Sequence, residues 1–349
     1  MDGPLSLFSP GTLCQACPVR DDCGAQLTSR ACRDSQAESD PGGLNVVHPR
    51  SRDFEKRVAH LGGVGFADVR VMPTALPALP RYLPQVRHNK ALAGSLVRPM
   101  YAIRAAEVVL SRGVVPARAV RERLGLRSEQ SLVLLLFDQD GVLERIWNAR
   151  TVWEIAEAGY TWVVSPSYSV WSPRPRSETL VNAKRSLKYF EALQAVGVSA
   201  IPRVAWETEH DVMRFADWAL ANGYLELVAL DLQTYRSTDN WQLALEGLAL
   251  FDQRTHERLS YLVNGATVLS RCVELCKTVD PARLCITNAT SQVGLRLPNR
   301  GPSRLAAISH QGQRFTAQTR LQEGVVKMAG ALSQHGGQDV ADGSQRAAA

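Results

Sequence analysis

The sequence predicts an α/β protein built as a parallel (β/α)8-type barrel, and three observations predict it. Short unbroken apolar runs recur between about residues 130 and 310. A helical stretch follows nearly every run. Several runs end on a polar or charged residue, as strands do where they emerge at a barrel mouth. An open doubly wound sheet satisfies the same alternation. No Gly-x-Gly-x-x-Gly follows any strand, however, which removes the most specific support for a dinucleotide fold.

Taken in order, residues 132–137 form an apolar run that meets Asp138. Residues 151–158 read as a helix and 161–164 as the next strand. Over 178–196, Leu180, Ala183, Leu187, Phe190 and Leu193 fall three or four apart and make one apolar helix face, which Gly197 ends. Residues 199–205 read as a strand. A helix follows over 209–222, with Val212, Phe215 and Leu220 on one side and Gly223 as its stop. The run 225–230 ends in Asp231. Residues 240–252 and 267–277 read as helices, and 259–263 and 283–287 as strands. Weaker strand candidates at 101–110 and 304–309 bring the total to about eight, the number that closes a barrel. Helices covering both faces of a parallel sheet explain why the strands are apolar throughout, and they require right-handed crossovers.

The chain has 349 residues, 45% hydrophobic and 21% charged, enough for one large domain and an appendage. The expected division is a cysteine-rich metal-binding segment over 1–35, a linker and lead-in over 36–66, the barrel over 67–330 and a disordered tail over 331–349. The polar stretch 33–52 reads as a loop, and the Gly-, Gln- and Ala-rich end lacks an apolar period. A formal net charge of +6 suits an anionic partner or a solvated basic surface. No apolar run reaches the roughly 18 residues of a membrane span. The first ten residues carry no secretory pattern, so a cytoplasmic protein is expected.

The seven cysteines fall into two groups. Cys14, Cys17, Cys23 and Cys32 are spaced C-x2-C-x5-C-x8-C, and four thiolates close a tetrahedral set for zinc or an iron–sulfur cluster. The run Cys14-Gln-Ala-Cys17-Pro-Val-Arg-Asp-Asp-Cys23 resembles the cluster-binding segment of WhiB-type regulators. The resemblance covers about ten residues and implies a [4Fe–4S] cofactor, not a regulatory function; zinc is the alternative. Cys272 and Cys276 lie one helical turn apart and Cys285 sits in an apolar strand, so these read as buried structural thiols. A metal site completed by His310 is the sharper alternative.

Ser165-Pro-Ser167-Tyr168-Ser169, then Trp171 and Pro173, follow a strand. Asn182, Lys184 and Arg185 open the next helix, and Gln194-x2-Gly197 precedes Ile201-Pro-Arg203-Val-Ala-Trp206. This series is similar to the family called domain of unknown function 4417 over about residues 147–265, more loosely through Gly247-Leu248 and Tyr261–Gly265. The resemblance implies a phage or plasmid setting and no settled activity. The family's loop carries an Asp where this chain has Ser167.

Residues at strand C-termini form the barrel mouth. Asp231 is the candidate nucleophile or general base, or a loop cap. Arg203 interrupts an apolar strand and needs a partner or a ligand. Arg203 and Lys184 are candidate phosphate holders, and Tyr168 or Trp206 a platform for a base. Ser165, Ser167, Gln233 and Asn264 are candidate substrate contacts, with Asp138, Glu207, Tyr235, Asn288 and His310 also near the mouth. Asp138-Gln-Asp-Gly reads as a turn more than a metal loop. Two functions follow as expectations. One is a glycosyl-transfer or base-exchange enzyme acting on nucleic acid or nucleotides. The other is a non-catalytic nucleic-acid or partner-binding protein with a structural or redox-sensing metal site.

Overall fold

The computed structural model describes residues 17, 19–24, 54–74, 79–88, 96, 98–170 and 176–288. The expected strand at 304–309, the polar stretch 33–52 and the tail 331–349 lie outside these residues.

The barrel begins with β1 (Tyr82–Val86) and β2 (Met100–Arg104). A small antiparallel hairpin, β3 (Val109–Leu110) and β4 (Gly113–Val114), stands apart. The ring continues through β5 (Ser131–Leu135), β6 (Trp162–Val164), β7 (Ala200–Ile201), β8 (Leu227–Asp231), β9 (Ser260–Asn264) and β10 (Leu284–Asn288). All neighbours pair in parallel, and β10 returns to β1. The seam between β7 and β8 is held by an Arg203–Ala229 bridge. There Val204 N donates to Ala229 O and Ala229 N to Pro202 O, each at 2.9 Å. This is the (β/α)8 barrel that the alternation predicts. The open sheet is excluded, because its two outer strands meet.

Three departures have local causes. The run at 199–205 yields a strand of two residues plus one bridge, because Pro202 has no N–H to donate to the ladder. The candidate at 101–110 is a strand only to Arg104. There α3 (Ala105–Val108) starts, with Ala106 N donating to the Asp138 carboxylate at 2.8 Å. The ring is complete without 304–309, since β1 supplies the eighth strand. Its Tyr-Leu-Pro-Gln-Val lacks an apolar run, because Gln85 faces a polar mouth.

Side chains alternate across each strand. Leu83, Ala102, Val133, Leu135, Val164, Ile201, Ala229 and Leu262 fill the interior. Their neighbours meet the outer helices α4 (Ala117–Leu124), α5 (Asp140–Ile146), α6 (Ala149–Ala158), α7 (Arg176–Ala195), α8 (Glu209–Ala221), α9 (Thr238–Arg254) and α10 (Leu269–Thr278). Helices α4 and α5 were not expected from the sequence, and local chemistry starts the others close to the expected positions. Asn148 Oδ1 accepts from Thr151 N at 2.8 Å to cap α6, and Thr208 with Asp211 forms a capping box on α8. Asp140 opens α5 and accepts from Ser169 Oγ, so the Asp138–Gly141 run, expected as a turn, is the start of a helix.

Helix α7 is buried on nearly every side. Its outer face is covered by α1 (Arg20–Cys23) and by the segment carrying α2 (Phe54–His60). Phe54, Val58, Leu61 and Val64 pack on Leu180 and Val181. Each such side chain contributes about 1.5–3 kcal/mol on full burial, so the lead-in at 54–66 is a packed strap on the barrel and not a loose linker.

Candidate active site at the barrel mouth

The β8–β9–β10 register sets Asp231, Asn264 and Thr287 side by side at the C-terminal end of the barrel. Asp231 is half-buried, and every contact brings a hydrogen to it. Oδ1 accepts from Asn264 Nδ2 at 2.9 Å, Gln233 Nε2 at 3.0 Å and Gln233 N at 3.3 Å. Among the described residues, Oδ2 accepts from Ser167 Oγ alone, at 2.9 Å. Gln85, from β1, donates to Asn264 Oδ1 at 2.6 Å and fixes which way that amide points. A carboxylate held this way has little freedom to turn, and its Oδ2 edge retains capacity for another atom.

Arg203 stands one layer deeper, level with Ala229, whose small side chain leaves it room. It is 4% exposed. Nη1 donates to Tyr168 O at 3.1 Å, and Nε has no hydrogen-bond partner among the described residues. Burial lowers its pKa and the neighbouring Asp231 opposes that shift, so the two charges feel each other without touching. Thr287 Oγ1 is likewise buried without a partner among the described residues. Arg104 ends β2 on the rim. Its Nε donates to Phe137 O at 3.2 Å and its Nη2 lies 3.3 Å from Asp138.

Of the residues singled out in the sequence, Asp231, Arg203, Ser167, Gln233 and Asn264 come together here. Ser165 lies behind them as a strut: its Oγ accepts from Arg203 N at 2.8 Å and it is fully buried. Asn288 is spent between Tyr82 and Ala266 O.

Three assignments change. Tyr168 is 1% exposed, with Arg185 at 4.0 Å over its ring and its hydroxyl 3.4 Å from Leu143 O; burial pushes that hydroxyl's pKa up. It is a packing element rather than a catalytic or stacking residue, and only its carbonyl serves Arg203. Lys184 is not a phosphate holder. Its ammonium is buried on the outer side of α7 and bonds Asp68 and Gly65 O, because the 54–74 strap covers that helix face. Trp206 stacks on Phe251 at 6.0 Å and abuts Gly247, so its ring belongs to the core. Trp171, Pro173 and His310 lie outside the described residues.

Gln85, Arg104 and Thr287 are the mouth residues that the sequence reading passes over. Arg104 gives the same signal as Asp231, a charge ending an apolar run. It is hidden in a stretch that reads as one long strand.

Cys17 and Cys23 are half-buried against the apolar cluster shared by the strap and α7, and Arg176 Nε donates to Cys23 O at 3.0 Å. Cys14 and Cys32 lie outside the described residues, and among the described residues no group of three or more metal-ligating side chains gathers. Cys272, Cys276 and Cys285 are buried, and burial pushes the Cys272 thiol up to about 12. No helix among the described residues is long and apolar enough to cross a membrane.

Fold and mouth together define a (β/α)8-barrel protein with a hydrogen-bonded carboxylate at its C-terminal face. Residues 101–248 match the model of the domain of unknown function DUF4417. A search of curated proteins finds no match. Among solved structures, the chain is similar to a protein assigned as a fructose-1,6-biphosphate aldolase from Coccidioides immitis. That match has 11% identity and a TM-score of 0.44, covering 74% of this chain and 91% of the other. A mandelate oxidase variant with an FMN adduct matches at 12% identity and TM-score 0.38, covering 88% and 94%. The carboxyl transferase domain of Rhizobium etli pyruvate carboxylase matches at 11% identity and TM-score 0.35, covering 77% and 54%.

Proposed function

We propose that this chain is a barrel enzyme that breaks and re-forms the glycosidic bond of a nucleotide or nucleic-acid base, with Asp231 as the nucleophile. The observation that carries the reading is the Asp231 carboxylate, fixed by Ser167, Gln233 and Asn264 at the end of a barrel strand with its Oδ2 edge spare. A nucleophile held in position saves much of the entropic cost of the reaction. Arg203 supports the anionic charge of Asp231 from below, and Arg104 replaces Lys184 as the rim cation for a substrate phosphate. The setting proposed is cytoplasmic, in a phage- or plasmid-borne system.

We further propose that Cys14, Cys17, Cys23 and Cys32 hold a [4Fe–4S] cluster, with zinc as the alternative. Support comes from the placement of Cys17 and Cys23 on one apolar patch beside Arg176 and Arg214, whose charges suit a thiolate-rich centre. Iron, zinc and visible absorption measured on the purified full chain test it; a protein with neither metal refutes it.

Release of free base from a panel of mononucleotides and short single-stranded oligonucleotides tests the enzyme reading. Wild type should turn over at least one member, and Asp231→Ala should abolish turnover with little change in Tm. Turnover that survives in Asp231→Ala refutes the assignment. Absence of turnover across the panel, with salt-sensitive oligonucleotide binding, favours the non-catalytic binding protein.

A further inference from the structure

We propose that Glu207 is the general acid–base partner of Asp231, the group that protonates the departing base. The inference rests on the glycosyl-transfer reading above.

Glu207 follows β7 on the barrel loop adjacent to the one that follows β8. Tyr235, from the β8 loop, ties the two together: its hydroxyl donates to Trp206 O at 3.3 Å. Burial raises the pKa of that hydroxyl. Arg203 lowers it, and the charges of Asp231, Glu207 and Asp211 raise it further.

The Glu207 side chain is 18% exposed. Its Oε2 is anchored by Thr179 Oγ1 at 3.0 Å, and Arg176 Nη1 approaches to 3.5 Å. No hydrogen bond engages its Oε1 among the described residues. One oxygen is therefore fixed and the other available to carry a proton.

The surroundings explain how Glu207 can hold that proton. Three elements face it: Arg176 and Thr179 from α7, Asp211 from α8 and Tyr235 from the β8 loop. Arg176 is the only cation among them, and its guanidinium is committed to Asp211, with Nη1 at 2.7 Å from Oδ2 and Nη2 at 2.5 Å from Oδ1. Asp211 also accepts from the backbone N of Glu207 and of Thr208. Glu207 receives what is left. Burial raises its pKa, Arg176 only partly counters this, and the Asp211 charge adds to it. A carboxyl whose protonated form burial favours in this way is suited to donate a proton to a leaving group.

The reaction then balances. Asp231 Oδ2 forms a bond to the anomeric carbon as the carbon–nitrogen bond breaks. The electron pair leaves on the base nitrogen, which takes the Glu207 proton. In the second half an incoming base N–H or water gives its proton to the Glu207 carboxylate and displaces Asp231.

The test compares kcat/KM on a mononucleotide with that on p-nitrophenyl β-ribofuranoside, whose leaving group needs no proton. The proteins are the full wild-type chain, Glu207→Gln and Asp231→Ala. Wild-type activity on the mononucleotide should fall as pH rises through the elevated Glu207 value. Glu207→Gln, which can still accept from Thr179, should lose about 10²–10⁴-fold on the mononucleotide and little on the nitrophenyl riboside. Asp231→Ala should lose both. Equal losses on the two substrates in Glu207→Gln, or no loss on either, overturn the role of Glu207 while leaving Asp231 in place. If the variant fails to fold, the wild-type pH limb decides the matter, and its absence overturns the proposal. A wild type inert on both substrates removes the glycosyl-transfer reading and this inference with it.

Discussion

Replacing Gly265 with alanine should damage both the barrel and its mouth. Gly265 directly follows Asn264 and has φ +103°, a region that L residues rarely adopt. A Cβ there would lie 2.5 Å from Gln233 N and 2.7 Å from Leu232 C. The obstacle is backbone, so no side chain can swing away. Backbone strain costs about 1–3 kcal/mol and forced displacement of packed structure about another 1–3, which sums to roughly 2–6 kcal/mol. For a domain of this size that is a fall in Tm of roughly 5–15 °C. The segment pushed aside carries Gln233 and adjoins Asp231, so base release should drop about 100-fold even at temperatures where the variant stays folded.

Two controls separate the causes. Gly159→Ala meets a positive φ with open space around it and should lose only the strain. Gly247→Ala meets the Trp206 indole at an ordinary helical φ and should show only the clash. Thermal unfolding followed by circular dichroism ranks the three. If Gly265→Ala matches Gly159→Ala in Tm and retains full activity, the close approach of the β8 and β9 loops is wrong.

Other consequences follow from the wall around the mouth. Arg176→Met removes the bidentate partner of Asp211 and leaves only Arg214, 3.7 Å away, so stability should fall by about 2–4 kcal/mol, read by urea unfolding; an unchanged midpoint contradicts the pairing. Burial pushes the Asp211 carboxyl up, but the hydrogen bonds and charge of Arg176 outweigh this and hold it below its ordinary 3.8. Asp211 therefore adds stability that is present above the unfolded value and lost as pH falls through the lower folded one. Acid unfolding of Asp211→Asn should lack that component, and a wild-type acid profile in that variant would contradict it. Asp68→Ala strands the Lys184 ammonium with only Gly65 O, so Tm should fall while mononucleotide affinity by equilibrium dialysis stays at the wild-type value. A loss of affinity would return Lys184 to the binding site.

Much of the barrel was legible because its signals are local. The apolar runs, the apolar face of α7 with its Gly197 stop and the charge ending β8 each need only a few neighbours to be understood. What escaped depends on distant chain. Lys184 reads as a phosphate holder until residues 54–74 are seen to cover it and pair it with Asp68, and Arg185 is claimed by Glu144 of α5. Tyr168 and Trp206 carry the composition of a binding loop, but packing claims their rings. Gln85 and Thr287 resemble nothing in sequence, because their meaning comes from register: β1 brings Gln85 to Asn264, 179 positions on, and β10 sets Thr287 level with Asn264. Asp231, Arg203 and Asn264 were found because each interrupts or ends an apolar run, and Ser167 and Gln233 because they stand in the loops that follow such runs. The pairing of Glu207 with Asp231 could not be read, since it depends on how Arg176 divides its charge.

The most direct test of Asp231 as nucleophile is a mass measurement. Full-length protein is quenched in acid during turnover of a mononucleotide, then digested and analysed for a glycosyl-sized increment. A nucleophilic Asp231 predicts that increment on its own peptide in wild type, stronger in Glu207→Gln turning over the nitrophenyl riboside, where formation needs no proton but breakdown is slowed, and absent in Asp231→Asn. Steady turnover with an unmodified Asp231 peptide, or an adduct on another residue, would contradict it.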